Sequence, residues 1–396
     1  MSKRFHYRLG ITALSLFFVI CICLPLAELA LGLDPTPVLN EYRELAPLPS
    51  LASPVAAVLQ HPTGRGAWSG LFQALAWYPA DFTSYFDDHF GFRRLLIRTH
   101  SVLVLLGWPD KGEVIVGRQG WLFFAEPRAK ASYQTTTLLS PQELAAWQRE
   151  LERRRDWYAA QGSDYLVALA PEKSTMYAQF MPANVPRFGQ RTRLDQMVEF
   201  LAANSDLQVI DPRDALVQAS AQHRTYHRTD SHWNAWGGFV ACQQILVKLS
   251  ERHPNLHPKT LKDYTIREQE IQGKDLTVML GLEHVIHEQA ILVEPLASSR
   301  PQAAETGVES LPHGLWWAFQ PEAYEVPDSD APTAVVVRDS FGNALIPFLA
   351  EHFRRSLFIH WYSMDESVIL RERPDIVIEQ MAERELQEEM PPRWGM

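Results

Sequence analysis

Two short segments of the chain hold the residue types that nucleophilic catalysis needs. The first is Tyr226-His227-Arg228-Thr229-Asp230-Ser231-His232-Trp233-Asn234. A serine hydroxyl must give up its proton to attack a carbonyl; an imidazole can take that proton, and a carboxylate fixes the imidazole's tautomer. Asp230 and His232 stand two apart, so one turn can present both to the same cleft. The second segment is Val335-Val336-Val337-Arg338-Asp339-Ser340-Phe341-Gly342-Asn343, an apolar run that ends directly in Asp-Ser. Open α/β sheets place ligands at the carboxyl ends of their strands, and backbone N–H groups at a following helix start can hold an oxyanion. Each segment alone has a plainer reading. Ser340 can be a helix cap, Asp230 can be another, and His232 can be a half-buried core histidine. His227, Asp230 and His232 are also competent metal ligands, but no HExxH pattern or cysteine cluster accompanies them. Taken together, the segments meet the requirement for a triad of Asp230, His232 and Ser340. The order Asp, His, Ser is not that of α/β-hydrolases, and no Gly-x-Ser-x-Gly elbow is present, yet a triad is defined by geometry and tolerates any order.

These residues need a scaffold, and the pattern supplies one. Wholly apolar runs at Tyr165–Ala170, Ala334–Val337, Leu357–His360 and Ile376–Ile378 read as strands buried on both faces, with a shorter one at Leu207–Ile210. Helical patterns lie between them: Ser140-Pro141 with Glu143 opens one as a capping box, and others are expected over 194–203, 239–249, 344–353 and 379–389. Alternating strands and helices predict an α/β fold with a mostly parallel sheet. Val114–Val116 and Trp121–Phe124 around Gly117 and Gly120 predict a hairpin. Residues 253–330, with the pair Trp316-Trp317, lack a period and read as an insertion or lid. Residues 34–81, rich in proline, read as a linker.

The bulk composition is globular, with 46% apolar and 21% charged residues among 396. The net charge of −10, without a dense basic run in the body, argues against nucleic acid. Of three cysteines only Cys242 lies in the body, on an apolar helical stripe, so no disulfide framework can form there. Lys3, Arg4 and Arg8 precede an apolar run from Gly10 to Ala27 that Glu28 closes. That arrangement reads as residues 1–9 in the cytoplasm and a transmembrane signal anchor over 10–33, with Ala30-Leu31-Gly32 as an alternative cleavage site.

Asp339-Ser340-Phe341 resembles the nucleophile block of SGNH esterases, and Asp230-Ser231-His232-Trp233 their base block. The serine block comes last here, as in the circularly permuted SGNH-like domains of the alginate O-acetyltransferase AlgJ/AlgX family. Asp88–Arg93, the 114–123 hairpin, Ala170–Ser174 and Arg373–Ile378 are similar to that family too. The resemblance spans roughly 82 to 390, and the end of the chain looks more like AlgJ than AlgX. It implies an SGNH hydrolase-like three-layer domain over 82–396, in the periplasm and anchored to the bacterial inner membrane. It implies transfer of acetyl groups through an acyl-serine to hydroxyls of a secreted, alginate-like polysaccharide. A multi-spanning membrane O-acyltransferase is the implied acetyl supplier, and neither cofactor nor metal is required. An esterase using the same triad, or a non-catalytic subunit of an export complex, are the rival readings. For substrate or oxyanion contacts the candidates are Asn343, Lys173, Arg338 and Tyr362; Arg338 stands where many SGNH enzymes have glycine, and Trp361 beside Tyr362 can stack on a sugar.

Overall fold

The computed structural model describes residues 2–32, 45–108, 112–296, 301–310, 319–327 and 329–391. It divides into two compact units, Met1–Trp108 and Pro109–Met396.

The first unit is helical, with helices at Ser2–Leu31, Ala52–Gln60, Arg65–His89 and Arg93–Leu105. The stretch expected as a structureless linker therefore carries two helices over its described part. Pro54 sits in the first turn of Ala52–Gln60, where helices accept proline, Pro79 lies inside Arg65–His89, and Pro35 and Pro37 lie outside the described residues. The expected anchor falls on the helix Ser2–Leu31, which contains Pro25. Among the described residues no helix is long and apolar enough to cross a membrane, and some side chains of this one lie outside them.

The second unit is an α/β layer structure. Its strands are β1 (Val114–Val116), β2 (Leu122–Phe124), β3 (Asp164–Ala170), β4 (Gln208–Ile210), β5 (Tyr264–Gln272), β6 (His287–Pro295), β7 (Gln302–Ala304), β8 (Glu322–Glu325), β9 (Thr333–Arg338), β10 (Arg355–His360) and β11 (Ile376–Ala382). The main sheet runs β4-β3-β11-β9-β10-β8-β7. Its first five members are parallel and β8 and β7 pair antiparallel at the edge, so the sheet is mixed. The 114–124 hairpin forms as expected, with Ile115 opposite Phe123.

The apolar runs follow from burial on both faces. Along β3, Leu166, Ala168 and Ala170 join one core with Phe239, Cys242, Ile245 and Leu249 of the helix Ala235–Ser250. Tyr165, Val167 and Leu169 join the other, with Trp147, Leu151 and Tyr158 of the helix Pro141–Ala160. That helix starts at Ser140, whose side chain accepts from the Glu143 N–H while Glu143 answers to Ser140 N–H.

Two expected helices differ. Residues 344–353 form one-turn pieces around a short helix, Ile346–Leu349, because Pro347 removes a donor from any longer one. Residues 379–382 extend β11 instead of starting a helix. Glu379 is buried there because Arg154 forms an ion pair with it and Tyr165 donates to it. The 253–330 segment is not a loose lid over its described residues. It makes the long β5–β6 hairpin, the helix Asp275–Met279, and strands β7 and β8 of the main sheet. Trp316 and Trp317 lie outside the described residues.

Candidate active site

β9 ends at Arg338, and Ser340 opens a 3-10 turn, Ser340–Ala344, at the carboxyl edge of the sheet. Asp339 shapes this turn. Its side chain accepts from the Phe341 N–H at 2.8 Å and from the Ala382 N–H of β11 at 2.6 Å, while Gln380 accepts from its backbone N–H at 3.3 Å. The Ser340 turn is thereby tied to the neighbouring strand by two hydrogen bonds and braced internally by the third. Gly342 is required by crowding, since a Cβ there would fall 2.6 Å from the Arg338 side chain.

The base segment is a tight loop closed by a bridge between Tyr226 and Trp233. Tyr226 donates to the Pro171 carbonyl at 2.6 Å, and Asn234 caps the helix Ala235–Ser250 by accepting from the Gly237 N–H at 2.9 Å. Trp233 Nε1 donates to the Phe341 carbonyl at 2.9 Å, joining this loop directly to the Ser340 turn.

The three residues singled out in sequence meet here. His232 Nε2 lies 2.8 Å from Ser340 Oγ, and its Nδ1 lies 2.6 Å from Asp230 Oδ1. Asp230 Oδ1 also accepts from the His232 backbone N–H at 3.0 Å. The Phe341 ring packs edge-on against the imidazole, 4.8 Å between centroids. Burial pulls the imidazole pKa down, but the charge and hydrogen bond of Asp230, and then Asp275, outweigh it and leave His232 raised above its ordinary value. Burial pushes Asp230 up, and the facing His232 more than reverses this, holding the carboxyl well below the usual range. A neutral His232 bonded to Asp230 through Nδ1–H turns the Nε2 lone pair toward Ser340, the arrangement of a general base and its nucleophile.

The other candidates fall elsewhere. Lys173 does not reach toward a sugar: it is 2% exposed, and its Nζ donates to the carbonyls of Leu122, Arg228 and Asp230 at 2.6, 2.9 and 2.8 Å. Burial lowers its pKa to about 7, while three acceptors match the three N–H bonds of the ammonium. It fastens the hairpin to the base loop. Arg338 is also buried, under the turn, where its guanidinium approaches the Asp339 and Gln320 carbonyls at 3.4 Å each. It is a support for the strand end and cannot contact a substrate from there. Asn343 is half-buried in the turn after Ser340. Tyr362 is 65% exposed, stacks on His360, and lines with Trp361, Arg128 and Glu385 an open cavity of about 650 Å³. That cavity lies at the carboxyl ends of β10 and β11, the strands flanking β9.

Sequence reasoning missed four supports. Glu288 of β6 accepts from the Arg228 and Thr229 N–H groups at 2.7 and 2.9 Å and pairs with His227, so His227 is not grouped with Asp230 and His232 as a metal ligand. Asp275 accepts from the Ser231 N–H at 2.8 Å and its hydroxyl at 2.5 Å. With Asp230 and His232 it brings three ligand atoms within 4.8 Å, a set able to hold a metal ion only by giving up those bonds. Arg384, held by Glu172 at 2.6 Å, lies over the Phe341 ring. Glu385, beside Asp339 and Arg128, is pushed up to about 7 by burial and the Asp339 charge. Nothing periodic marks 275 or 288; the pair Lys274-Asp275 following a glycine was the only local hint.

The model of the SGNH hydrolase-like domain of the acetyltransferase AlgX matches residues 114–360. The chain is 26% identical over 203 residues to the probable alginate O-acetylase AlgJ of Pseudomonas syringae pv. tomato, covering 50% of each. To the protein of that name from Azotobacter vinelandii it is 26% identical over 173 residues, 42% of each. The chain thus spans about half the length of the curated relatives it matches, or less. Among solved structures, PatB1 of Bacillus cereus covers 69% of this chain and 96% of its own, with a TM-score of 0.50 and 15% identity. At that identity the likeness speaks for the fold alone.

Proposed function

Since this chain belongs to the family of SGNH hydrolase-like acetyltransferase AlgX domains, we propose that it is an O-acetyltransferase working through Ser340. The observation that carries the reading is the continuous path Asp230–His232–Ser340, 2.6 and 2.8 Å long in its two links, at the edge of the sheet.

In this mechanism Ser340 Oγ attacks the carbonyl carbon of an acetyl donor as His232 Nε2 takes its proton. The tetrahedral intermediate collapses, the donor's leaving oxygen takes the proton back from His232, and acetyl-Ser340 remains. A sugar hydroxyl then attacks, His232 accepts its proton, and Ser340 leaves with that proton as the acetylated sugar forms. Asp230 stays ionised throughout and stabilises the imidazolium. The Phe341 and Gly342 N–H groups are already bonded to Asp339, so we assign the Ser340 N–H as the backbone oxyanion donor.

The acceptor we propose is a secreted polysaccharide of the alginate kind, consistent with the named activity of the AlgJ relatives. Tyr362 and Trp361, in the turn that follows β10, offer a sugar an aromatic face. The reading places the domain in the periplasm, supplied with acetyl groups by a membrane O-acyltransferase. It keeps the helix Ser2–Leu31 as an inner-membrane anchor, supported by Lys3, Arg4 and Arg8 ahead of its apolar run and by exposed Leu14, Leu16, Phe17, Phe18, Val19 and Ile20.

The test offers an acetylated donor and an oligosaccharide acceptor to the purified chain and to Ser340→Ala. Acetylated oligosaccharide from the parent and none from the variant is expected. Release of free acetate alone marks an esterase, and product from Ser340→Ala refutes the acyl-serine.

A further inference from the structure

The base carries a second carboxylate that a triad does not include. Asp275 starts the helix Asp275–Met279, inside the segment that sequence patterns left unassigned. Its Oδ2 lies 3.7 Å from His232 Nδ1 and accepts the Ser231 hydroxyl at 2.5 Å. Ser231 Oγ in turn lies 3.2 Å from His232 Nδ1. A hydroxyl that has given its one proton to Asp275 can only accept at its lone pairs. Ser231 therefore faces Nδ1 as an acceptor, alongside Asp230 Oδ1 at 2.6 Å. Both acceptors demand a proton on Nδ1, and that leaves Nε2 bare toward Ser340.

We propose that Asp275, acting through Ser231, is a positioning residue that locks the Nδ1–H tautomer of His232 and stabilises its protonated form during acyl transfer. The proposal rests on the triad reading given above. The plainer role, a first-turn helix residue, accounts for the bond from the Leu276 N–H to Oδ1 at 2.6 Å. It does not account for Oδ2, which turns away from the helix to the base loop. The other ionisable groups around the imidazole and Asp275 are Asp230, Lys274 at 3.8 Å from Asp230, Arg384 beyond Phe341, and Lys173 and the His227–Glu288 pair beneath the loop. Among them the negative charges of Asp230 and Asp275 raise the His232 pKa.

The test is the pH profile of kcat/KM for the full chain and for Asp275→Asn, with an acetyl ester as donor. His232 must be neutral to act, so activity rises with pH through its pKa. Asp275, itself raised to about 6 by burial and the Asp230 charge, is ionised across a limb that lies above an ordinary histidine's, so removing its charge lowers that pKa. The acid limb of Asp275→Asn should therefore move down by about one pH unit, with the plateau reduced about tenfold. Ser231→Ala keeps the charge but loses the relay, and should lower the plateau with a smaller movement of the limb. A merely structural Asp275 would lower the plateau and leave the limb where it is, which overturns the proposal. So does an unchanged profile in both variants. If Asp275→Asn fails to fold, Ser231→Ala decides: a parental plateau refutes the relay. Ser340→Ala separates the two readings. Activity surviving there sinks the triad itself, whereas a dead Ser340→Ala with an unmoved Asp275→Asn limb sinks only the role of Asp275.

Discussion

Replacing Lys173 with methionine separates a buried fastener from a sugar contact. Methionine keeps the length and apolar stem of lysine but donates no hydrogen bond. The carbonyls of Leu122, Arg228 and Asp230 then lose partners at 2.6, 2.9 and 2.8 Å, in a site only 2% exposed. The Arg228 carbonyl keeps the Leu122 N–H at 3.0 Å; each carbonyl left unpartnered costs about 1–3 kcal/mol, partly offset by no longer burying an ammonium, so a net loss of about 3–5 kcal/mol is expected. For a unit of this size that corresponds to roughly 6–15 °C in melting temperature. Because Arg228 and Asp230 belong to the base loop, kcat should fall as well, even at temperatures where the variant stays folded. Thermal unfolding by circular dichroism, with transfer kinetics at 15 °C below the variant's midpoint (roughly the upper end of the expected shift), reads both. A melting point within about 2 °C of the parent together with a raised KM and unchanged kcat would refute the reasoning and return Lys173 to the substrate.

Three further outcomes are expected. The kcat/KM profile of the parent should lose activity on acidification through a pKa above that of an ordinary histidine, since His232 is raised by Asp230; a limb below about 6 contradicts this. Arg154→Leu strands Glu379 in the core and should destabilise the protein by about 3–5 kcal/mol in urea unfolding, whereas Arg154→Leu with Glu379→Leu should recover most of it. Tyr362→Ala removes an exposed ring, so KM for the oligosaccharide should rise roughly tenfold with the melting temperature unmoved; an unchanged KM excludes stacking there.

The fold was legible where a residue's fate depends on its near neighbours. Apolar runs marked β3, β9 and β10 because both faces of those strands are buried, and Ser140-Pro141 with Glu143 marked a helix start by local bonding. Asp230, His232 and Ser340 stood out because their types and spacing are local, although their convergence is a property of the sheet order. What stayed hidden depends on distant partners. Lys173 looks like a loop lysine until three carbonyls from two other segments close around it. Glu379 and Gln380 read as the start of a helix, yet Arg154 and Asp339 hold them inside a strand. Asp275 and Glu288 sit in a segment with no apolar period, because β5 is largely unburied while polar residues of the segment reach the base loop. The proline-rich stretch after residue 45 concealed helices for a different reason: Pro54 lies in a first turn, where proline is tolerated.

In the proposed mechanism His232 activates Ser340 to carry an acyl group. Exposing the full chain to a serine-reactive acyl donor and mapping the modified peptide by mass spectrometry tests it most directly. A single label on Ser340 is expected in the parent, with its near-complete loss in His232→Ala. Label on another residue, or equal labelling of Ser340 without the imidazole, contradicts it.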